Sequence, residues 1–299
     1  MRTLNRFYLL RLIVIVMAVL MVFPALAFAG KSEDEQLAEI RKMIEEKGYH
    51  WTARKTSVSG LSKEEKLRRL GHIRMTDQML SEAPEFVSLG DTIFDQSFDW
   101  RILGCVTPAK DQRDCGSCWA FAAVGEYESH MLINDGRYSD ISEQAILSCF
   151  YLRENMSCCT GGWVWEAYKL MIDLGVVSEA CMPYESSFEP LCRMDECMII
   201  EGSLSGYEVI IRDAGPEIEH ATRINMIKEA LQRGPVSASF EVYHDFFYYE
   251  SGCYEHEPGP GDGSHVVIII GWNDRMCDGE GAWICKNSWG DDWGMNGFF

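Results

Sequence analysis

The segment from Gln112 to Phe121 constrains the fold of this chain most strongly, because it places a thiol where a turn becomes a helix. A Gly-Ser pair favours the turn, and residues 118–133 are rich in alanine and apolar side chains without proline. We therefore predict a helix that starts at Cys118 and stops at Asn134-Asp135-Gly136. A helix N-terminus and an adjacent imidazolium both lower the pKa of a thiol, which makes Cys118 the predicted nucleophile.

Several separate motifs along the chain resemble those of the papain family of cysteine proteases, in the family's order. They are Gln112 with Cys115-Gly116-Ser117-Cys118-Trp119, then Cys159-Thr160-Gly161-Gly162, Ser264-His265-Val266-Val267 and Lys286-Asn287-Ser288-Trp289-Gly290. His265 lies 147 residues after Cys118, inside the range of roughly 130 to 150 that is typical of the family. Asn287, at 169 residues, lies somewhat beyond this range.

The resemblance implies a role for each catalytic residue. His265 takes the proton of Cys118 to give a thiolate-imidazolium pair and later protonates the leaving amine. Asn287 orients the imidazole ring, and Trp289 shields their hydrogen bond from water. Gln112 donates an amide N–H to the developing oxyanion beside the backbone N–H of Cys118, and loss of such a donor costs ~10²-fold in rate.

A second set of residues is expected to bind the substrate, which the resemblance implies is a protein or peptide. The backbone of Gly161 and Gly162 could hydrogen-bond an extended peptide as an added strand, with Val164 and Ala238 near an apolar subsite. The neighbouring Trp163 and Trp165 are expected to belong to the core or the wall of the cleft.

Two alternatives account for the same residues differently. Cys115 and Cys118 form a C-x-x-C pair, which could be a redox dithiol or half of a zinc site. His265 alone, on an apolar strand, could be a core histidine, and only its joint match with Cys118 and Asn287 favours catalysis. Since further paired Cys and His ligands are missing, we expect no metal and no cofactor. His244 and His256 are expected to be solvated in polar loops.

Helical patterns dominate the first part of the predicted catalytic domain and strands the second. Helices are expected from Cys118, from Asp140 or Ser142, and from Trp163 to Leu174, ending at Gly175. Beyond about residue 205 we expect strands at Tyr207–Ile211, Val236–Val242, Val266–Trp272 and Trp283–Lys286, and one helix at Thr222–Arg233. The fold class is α+β. The resemblance implies two papain-like lobes, helical and then antiparallel β-barrel-like, with the active site in the cleft.

The first 29 residues read as a secretory signal peptide. Three arginines precede the apolar run Leu12–Phe23, and Ala27-Phe28-Ala29 offers small residues for cleavage before Gly30. A membrane anchor is the alternative, but the run is shorter than the roughly 20 residues that a bilayer needs. We therefore expect a secreted, extracellular or lysosomal protein without stable membrane association after signal removal.

Residues 30–92 contain no cysteine and are rich in charged side chains. A helix is predicted from Glu33 to Lys47, and a second is predicted after the capping box of Ser62 and Glu65, ending at Gly71. Gly48-Tyr49-His50-Trp51-Thr52-Ala53 resembles the short propeptide of cathepsin B-like enzymes, which implies an autoinhibitory segment, the chain's own inhibitor. An ordinary helical subdomain is the alternative. Proteolysis between roughly Ala83 and Phe98 would release a peptidase domain of residues 93–299.

Twelve cysteines are unusual in a reducing compartment and fit export. Spacing alone does not fix their pairing, but the resemblance implies disulfides Cys115–Cys159 and Cys149–Cys192. Setting Cys118 aside leaves an odd number, so at least one further thiol is free or lacks its partner. Cys285 and Cys253 are the candidates.

The net charge of −19, or −22 without the signal peptide, argues against nucleic-acid binding. The chain is expected to be a monomer. The paired histidines of a cathepsin B-like carboxydipeptidase are missing from residues 181–197, which favours an endopeptidase. Asn155-Met156-Ser157 is a glycosylation acceptor in a eukaryotic host.

The chain stops at Gly297-Phe298-Phe299, where family members continue into further strand, so we expect a truncated β lobe. An unfinished sheet edge and a lost disulfide would weaken the lobe that carries His265 and Asn287. The alternative function is therefore a weak or inactive homologue that binds peptides or partners.

Overall fold

The computed structural model describes residues 30–73, 83–88, 90, 92–154, 158–187, 191–200, 204–211, 219–256 and 259–299. The predicted signal peptide and Asn155 lie outside them. The helices are α1 (Glu33–Lys47), α2 (Lys63–Arg68), α3 (Cys118–Asp135), α4 (Glu143–Glu154), α5 (Val164–Leu174) and α6 (His220–Leu231). The strands are β1 (Trp51–Ala53), β2 (Ser97–Asp99), β3 (Val236–Val242), β4 (Tyr249–Gly252), β5 (Gly263–Asn273) and β6 (Ala282–Lys286).

Capping residues set the bounds of the two N-terminal helices. Ser32 and Glu35 form a capping box at the start of α1, and Gly48 ends it with a left-handed backbone. Ser62 caps α2 in the same way, as the sequence predicted. The predicted end at Gly71 is wrong, since α2 stops at Arg68. The following residues leave the helix because their backbone groups bond instead to residues 112, 162 and 264.

The helical lobe is built around α3, which runs from Cys118 to Asp135 and ends at left-handed Gly136, as predicted. Nearly all of its first two turns are buried, consistent with a helix that is apolar on every side. Of the two predicted starts for α4, Ser142 is the correct one. It directly precedes the first helical residue, and its Oγ accepts from the N–H of Ala145 at 2.9 Å. Both α4 and α5 pack against α3.

The second lobe contains an antiparallel sheet with β5 at its centre. One edge of β5 pairs with β6, and the other pairs first with β3 and then with β2. This confirms the α+β class, but the described strands do not close into a barrel, because both edges of β5 are occupied by strands that pair no further within this sheet. The predicted strand Tyr207–Ile211 is wrong. Val209 forms only an isolated bridge with Glu85, its carbonyl accepting from the N–H of Phe86.

The two lobes share one hydrophobic core where α3 meets β5. Val266, Ile268 and Ile270 of the strand pack into the cluster formed by α3, α4 and α5. The contact is close at Gly125, where a Cβ would lie 2.7 Å from Cδ1 of Ile268. The helix that begins at Cys118 is therefore packed directly against the strand that carries His265.

A buried polar network also joins the lobes. The Lys110 ammonium contacts Oε1 of Glu128 at 3.0 Å and Oε1 of Glu143 at 3.0 Å, and both carboxylates are almost fully buried. The hydroxyl of Thr107 donates to the other oxygen of Glu128 at 2.6 Å. That hydroxyl in turn accepts from the Lys286 ammonium at 2.8 Å. A continuous path thus runs from α3 to the end of β6.

Residues 30–73, here called the N-terminal segment, pack against the sheet lobe. Strand β1 pairs with β4. Leu37 and Ile40 of α1 bury their side chains in an aromatic cluster. Its other buried members are Trp51, Ala53, Val58, Val242, Phe246, Phe247, Tyr248, Tyr249, Trp289 and Trp293. Burial of this much aromatic surface stabilises the attachment of the segment.

The structure contains both disulfides that the resemblance implied, Cys115–Cys159 and Cys149–Cys192. It adds Cys181–Cys197 and Cys253–Cys277. Of the two candidates for an unpaired thiol, Cys285 is free and buried, whereas Cys253 is bonded, because the turn after β5 brings Cys277 to a Cα–Cα distance of 5.8 Å. Cys105 is a further free thiol among the described residues.

Candidate active site

Cys118 is the first residue of α3 and lies at the end of the turn that begins at Gln112. The disulfide from Cys115 to Cys159 ties this turn to the glycine-rich stretch, and the N–H of Gly116 donates to the carbonyl of Cys159 at 2.9 Å. The bonded Cys115 removes the alternative of a C-x-x-C dithiol or zinc site. Cys118 keeps its free thiol.

The side chain of Gln112 is fixed by the asparagine turn on the other lobe. The hydroxyl of Ser288 donates to Oε1 of Gln112 at 2.6 Å, and the N–H of Gln112 donates to the Ser288 carbonyl at 2.9 Å. Because Oε1 is thus occupied as an acceptor, the Nε2 group is directed toward the cleft. Nε2 donates to the carbonyls of Arg69 at 2.9 Å and Cys115 at 2.8 Å.

His265 lies on β5 and contacts the two residues predicted to support it. Its Nε2 lies 2.8 Å from Oδ1 of Asn287, which also accepts from the N–H of Ser288 at 2.8 Å. The ring of Trp289 covers the imidazole, with ring centroids 4.9 Å apart. Trp289 is itself fully buried and stacks on Phe247, so water is excluded from this side of the pair.

Burial dominates the electrostatics of the site. It raises the pKa of the Cys118 thiol to about 11, against the smaller opposing effect of nearby backbone N–H groups. Burial likewise lowers the pKa of His265 to about 4, although the bond to Asn287 acts in the opposite direction. In this arrangement the neutral thiol and neutral imidazole are therefore favoured over the ion pair that the sequence predicted.

The end of the N-terminal segment buries Cys118 and Gln112. The carbonyl of Arg69 occupies the Nε2 donor of Gln112, the group predicted to bind the oxyanion. The Arg69 guanidinium, almost fully buried, bonds Oδ1 of Asp111 at 2.9 Å and anchors this position. Gly71 follows at the thiol, where its N–H is among the groups that lower the pKa of Cys118.

The segment continues along the glycine-rich wall by backbone hydrogen bonds. The N–H of Gly162 donates to the carbonyl of Gly71 at 2.9 Å, and the N–H of Ile73 donates to the carbonyl of Gly162 at 3.2 Å. On the opposite side, the N–H of His72 donates to the carbonyl of Ser264 at 3.2 Å. An extended chain thus bridges both walls of the cleft, with His72 and Gly162 paired in parallel.

The remaining predicted substrate contacts lie beside this wall. Val164 begins α5 and Ala238 lies on β3. Both line a cavity of about 920 Å³, together with Val266 and His72. The structure therefore brings Val164 and Ala238 to one cavity next to the cleft. Trp289 lies instead against the ring of His265.

Sequence reasoning missed two kinds of functional residue. Ser288 orients Gln112, and its position directly after Asn287 in the sequence is the signal that could have indicated this role. Arg69 and Gly71 fill the cleft through their backbones, and no side-chain pattern distinguishes such residues. His256 is exposed in a loop, as predicted, and pairs with Asp245 at 2.8 Å. His244 differs from the prediction, because it begins a short 3-10 helix, is only partly exposed, and lies 2.8 Å from Gln36.

Two negative findings concern the described residues. They contain no group of three or more His, Cys, Asp or Glu side chains that could hold a metal ion. None of the helices within the described ranges has the length and apolar composition needed to cross a membrane.

Comparison with known proteins places these motifs in a family. The model of the family described as papain family cysteine protease matches residues 94–299. Mouse cathepsin S (Mus musculus) is 30% identical over 285 residues, which cover 89% of this chain and 80% of cathepsin S. Falcipain-2a of Plasmodium falciparum (isolate 3D7) is 34% identical over 235 residues, which cover 75% of this chain.

A solved structure shows the same fold. Digestive procathepsin L 3 from the larval midgut of Tenebrio molitor has a TM-score of 0.71 at 27% identity, and the match covers 89% of this chain and 82% of that one. Lengths differ among the relatives, since the match spans only 45% of falcipain-2a.

Proposed function

Because the chain belongs to the papain family of cysteine proteases, we propose that it hydrolyses peptide bonds in proteins or peptides with Cys118 as the nucleophile. The observation that carries this proposal is the hydrogen bond between Nε2 of His265 and Oδ1 of Asn287. Oδ1 is an acceptor, so Nε2 carries the proton. Nδ1, which is buried without a hydrogen bond among the described residues, is then the basic nitrogen of the ring.

The reaction follows from this tautomer. Nδ1 of His265 takes the thiol proton of Cys118, and the sulfur bonds to the substrate carbonyl carbon. The oxyanion accepts hydrogen bonds from Nε2 of Gln112 and the N–H of Cys118. The imidazolium protonates the amine as the C–N bond breaks, which leaves an acyl-enzyme. Water then loses a proton to Nδ1, attacks the acyl carbon and releases the acid with the thiol restored.

The chain is proposed to be a zymogen in which residues 30–92 are an inhibitory propeptide. Support comes from the Arg69 carbonyl, which occupies the oxyanion donor of Gln112, and from Gly71 at the thiol. A substrate carbonyl cannot bind Gln112 while Arg69 holds it. Cleavage between about residues 83 and 98 would release the active domain, a monomer that needs no cofactor.

Residues 1–29 are proposed to direct the chain to secretion or to a lysosome. The charged N-terminus, apolar run and small-residue cleavage site support this, as do the four disulfides, which require an oxidising compartment.

The expected cleavage is internal. The loop from Cys181 to Cys197 is closed by a disulfide and holds no histidine that could bind a substrate's terminal carboxylate. A peptide blocked at both ends should therefore be cut at internal bonds. Release of C-terminal dipeptides from an unblocked peptide, without internal cuts, would overturn the endopeptidase proposal.

The decisive experiment compares two thiols in the processed protein. Cys118→Ala should abolish hydrolysis of the blocked peptide, whereas Cys285→Ala, which removes another buried free thiol, should leave it. Circular dichroism of both variants checks that each is folded. A folded, processed wild type without hydrolysis would identify the alternative, a homologue that binds peptides without cleaving them.

A further inference from the structure

His50, in the N-terminal segment, bonds to carboxylates through both nitrogens of its ring. Nδ1 lies 2.8 Å from Oε1 of Glu255, and Nε2 lies 3.0 Å from Oδ2 of Asp278. An ionised carboxylate only accepts hydrogen bonds, so each of these nitrogens must donate. A neutral imidazole has one N–H and satisfies only one such contact. The arrangement therefore holds the doubly protonated, positively charged ring.

A disulfide positions the two carboxylates. Glu255 follows Cys253 by two residues, and Asp278 directly follows Cys277, the partner of Cys253. The N–H of Cys253 also donates to the backbone carbonyl of His50 at 2.9 Å. One cross-link thus joins the loop after β4 to the turn after β5, and both meet the same histidine.

We propose that Glu255 and Asp278, joined through the Cys253–Cys277 disulfide, form a binding site for an imidazolium group, and that His50 fastens the N-terminal segment to the peptidase domain there. This attachment is separate from the cleft. His50 directly precedes β1 and so holds the end of the segment that contains α1, whereas residues 69–73 cover the thiol. The site itself does not depend on catalysis. That the segment attached there is an inhibitory propeptide rests on the proposed function.

The surroundings of His50 give the attachment a pH dependence with a defined sign. The hydrogen bond that His50 donates to Glu255, followed by the charge of Asp278, raises the pKa of His50 above its ordinary value. The neighbouring His256 pairs with Asp245 instead. A raised pKa in the attached state means that the contribution is fully present below about pH 6.5, the ordinary histidine value, and is lost as pH rises through the raised value. This contact thus contributes more to holding the segment at mildly acidic than at alkaline pH.

The size of the effect is limited by solvent, since the His50 side chain is 42% exposed. Hydrogen exchange in the full chain carrying Cys118→Ala tests it without any contribution from catalysis. Between pH 5.5 and 8, after correction for intrinsic exchange, protection of the amides of β1 and Cys253 should fall about three- to fivefold, the scale of exposed charged pairs. His50→Gln should abolish this change, and His220→Gln, exposed at the start of α6, should retain it.

Titration of the His50 ring by NMR in the same background provides a second readout. We expect a pKa above the ordinary value that falls toward it in Glu255→Gln and in the double variant Cys253→Ser/Cys277→Ser. A value at or below about 6.5 in the folded chain, or an unchanged pH-dependent protection in His50→Gln, would overturn the proposal. Since Cys118 is absent from every sample, failure of the peptidase proposal and failure of this site are distinguishable.

Discussion

Gly71 lies against Gly116 so closely that a Cβ on Gly71 would fall 1.9 Å from the carbonyl oxygen of Gly116. The other side of Gly71 is occupied by the glycine wall, where its carbonyl accepts from Gly162. Only a residue without a side chain can therefore pass between the turn that carries Cys118 and this wall. The N-terminal segment has such a residue at the point of closest approach.

Gly71→Ala should loosen the closed cleft, because the clash is with backbone that cannot rotate away. Overpacking of this kind costs about 1–3 kcal/mol, so labelling of Cys118 by an alkylating agent in the unprocessed chain should be roughly 5- to 160-fold faster. Gly60→Ala is the matched control, since that glycine is exposed in the same segment and a Cβ there meets only the Glu33 side chain. Equal labelling of both variants would contradict the steric account.

Thiol reactivity should depend on pH differently before and after processing. In the full chain, burial places the pKa of Cys118 at about 11 and that of His265 at about 4. Between these values the thiol stays protonated and the imidazole stays neutral, so alkylation at pH 5 should be slow. Removal of residues 30–92 exposes the pair, and labelling of Cys118 at pH 5 should then be rapid. Mass spectrometry locates the label, and the same rate in both forms would contradict this prediction.

Asn287→Ala should lower kcat by roughly 10²-fold, because the His265 ring loses the acceptor that fixes its tautomer and orientation. Asn287→Asp keeps an acceptor oxygen at the same place and should lose less activity. The two variants separate positioning from a merely structural role, since both remove the amide NH₂ but only one removes the acceptor. Steady-state kinetics of the processed protein measure the effect, and equal losses would exclude the positioning role.

The Cys253–Cys277 disulfide should stabilise the folded chain. It closes a loop with a sequence separation of 24 residues, which corresponds to about 3–4 kcal/mol in the free energy of unfolding by the chain-entropy model. Replacing both cysteines by serine should lower the stability measured by denaturant unfolding by about that amount. Cys105→Ser removes a free thiol and should change it little. An unaltered denaturation midpoint in the double variant would show that the bond is absent.

The sequence predicted best where local chemistry decides the structure. The helix from Glu33 to Lys47, the capping box at Ser62 and the stop at Gly136 depend on residues within a few positions of one another, and the structure has all of them. The motifs around Cys118, His265 and Asn287 resemble those of the family jointly, and the structure brings their elements together through the contact of α3 with β5.

Predictions that depended on distant partners were less successful. Val209 lies in a stretch rich in β-forming residues but forms only an isolated bridge with Glu85, because both edges of β5 are already paired. Cys253 lacked an obvious partner since Cys277 becomes its neighbour only through the turn after β5. Gln112 is predicted from its motif to donate to the oxyanion, but the bond from its Nε2 to the Arg69 carbonyl is a backbone contact that carries no sequence pattern.

The buried path through Lys286, Thr107 and Glu128 has a consequence for how the molecule responds to heat. Lys286 directly precedes Asn287, and Glu128 lies on the helix that begins with Cys118. The path therefore couples the two lobes, so that displacing one lobe shifts both Cys118 and Asn287. Breaking the path at Thr107 would take from the buried Lys286 ammonium its hydrogen-bond acceptor, which is costly. Loss of alignment in the cleft and loss of the global fold are therefore expected to occur at one temperature.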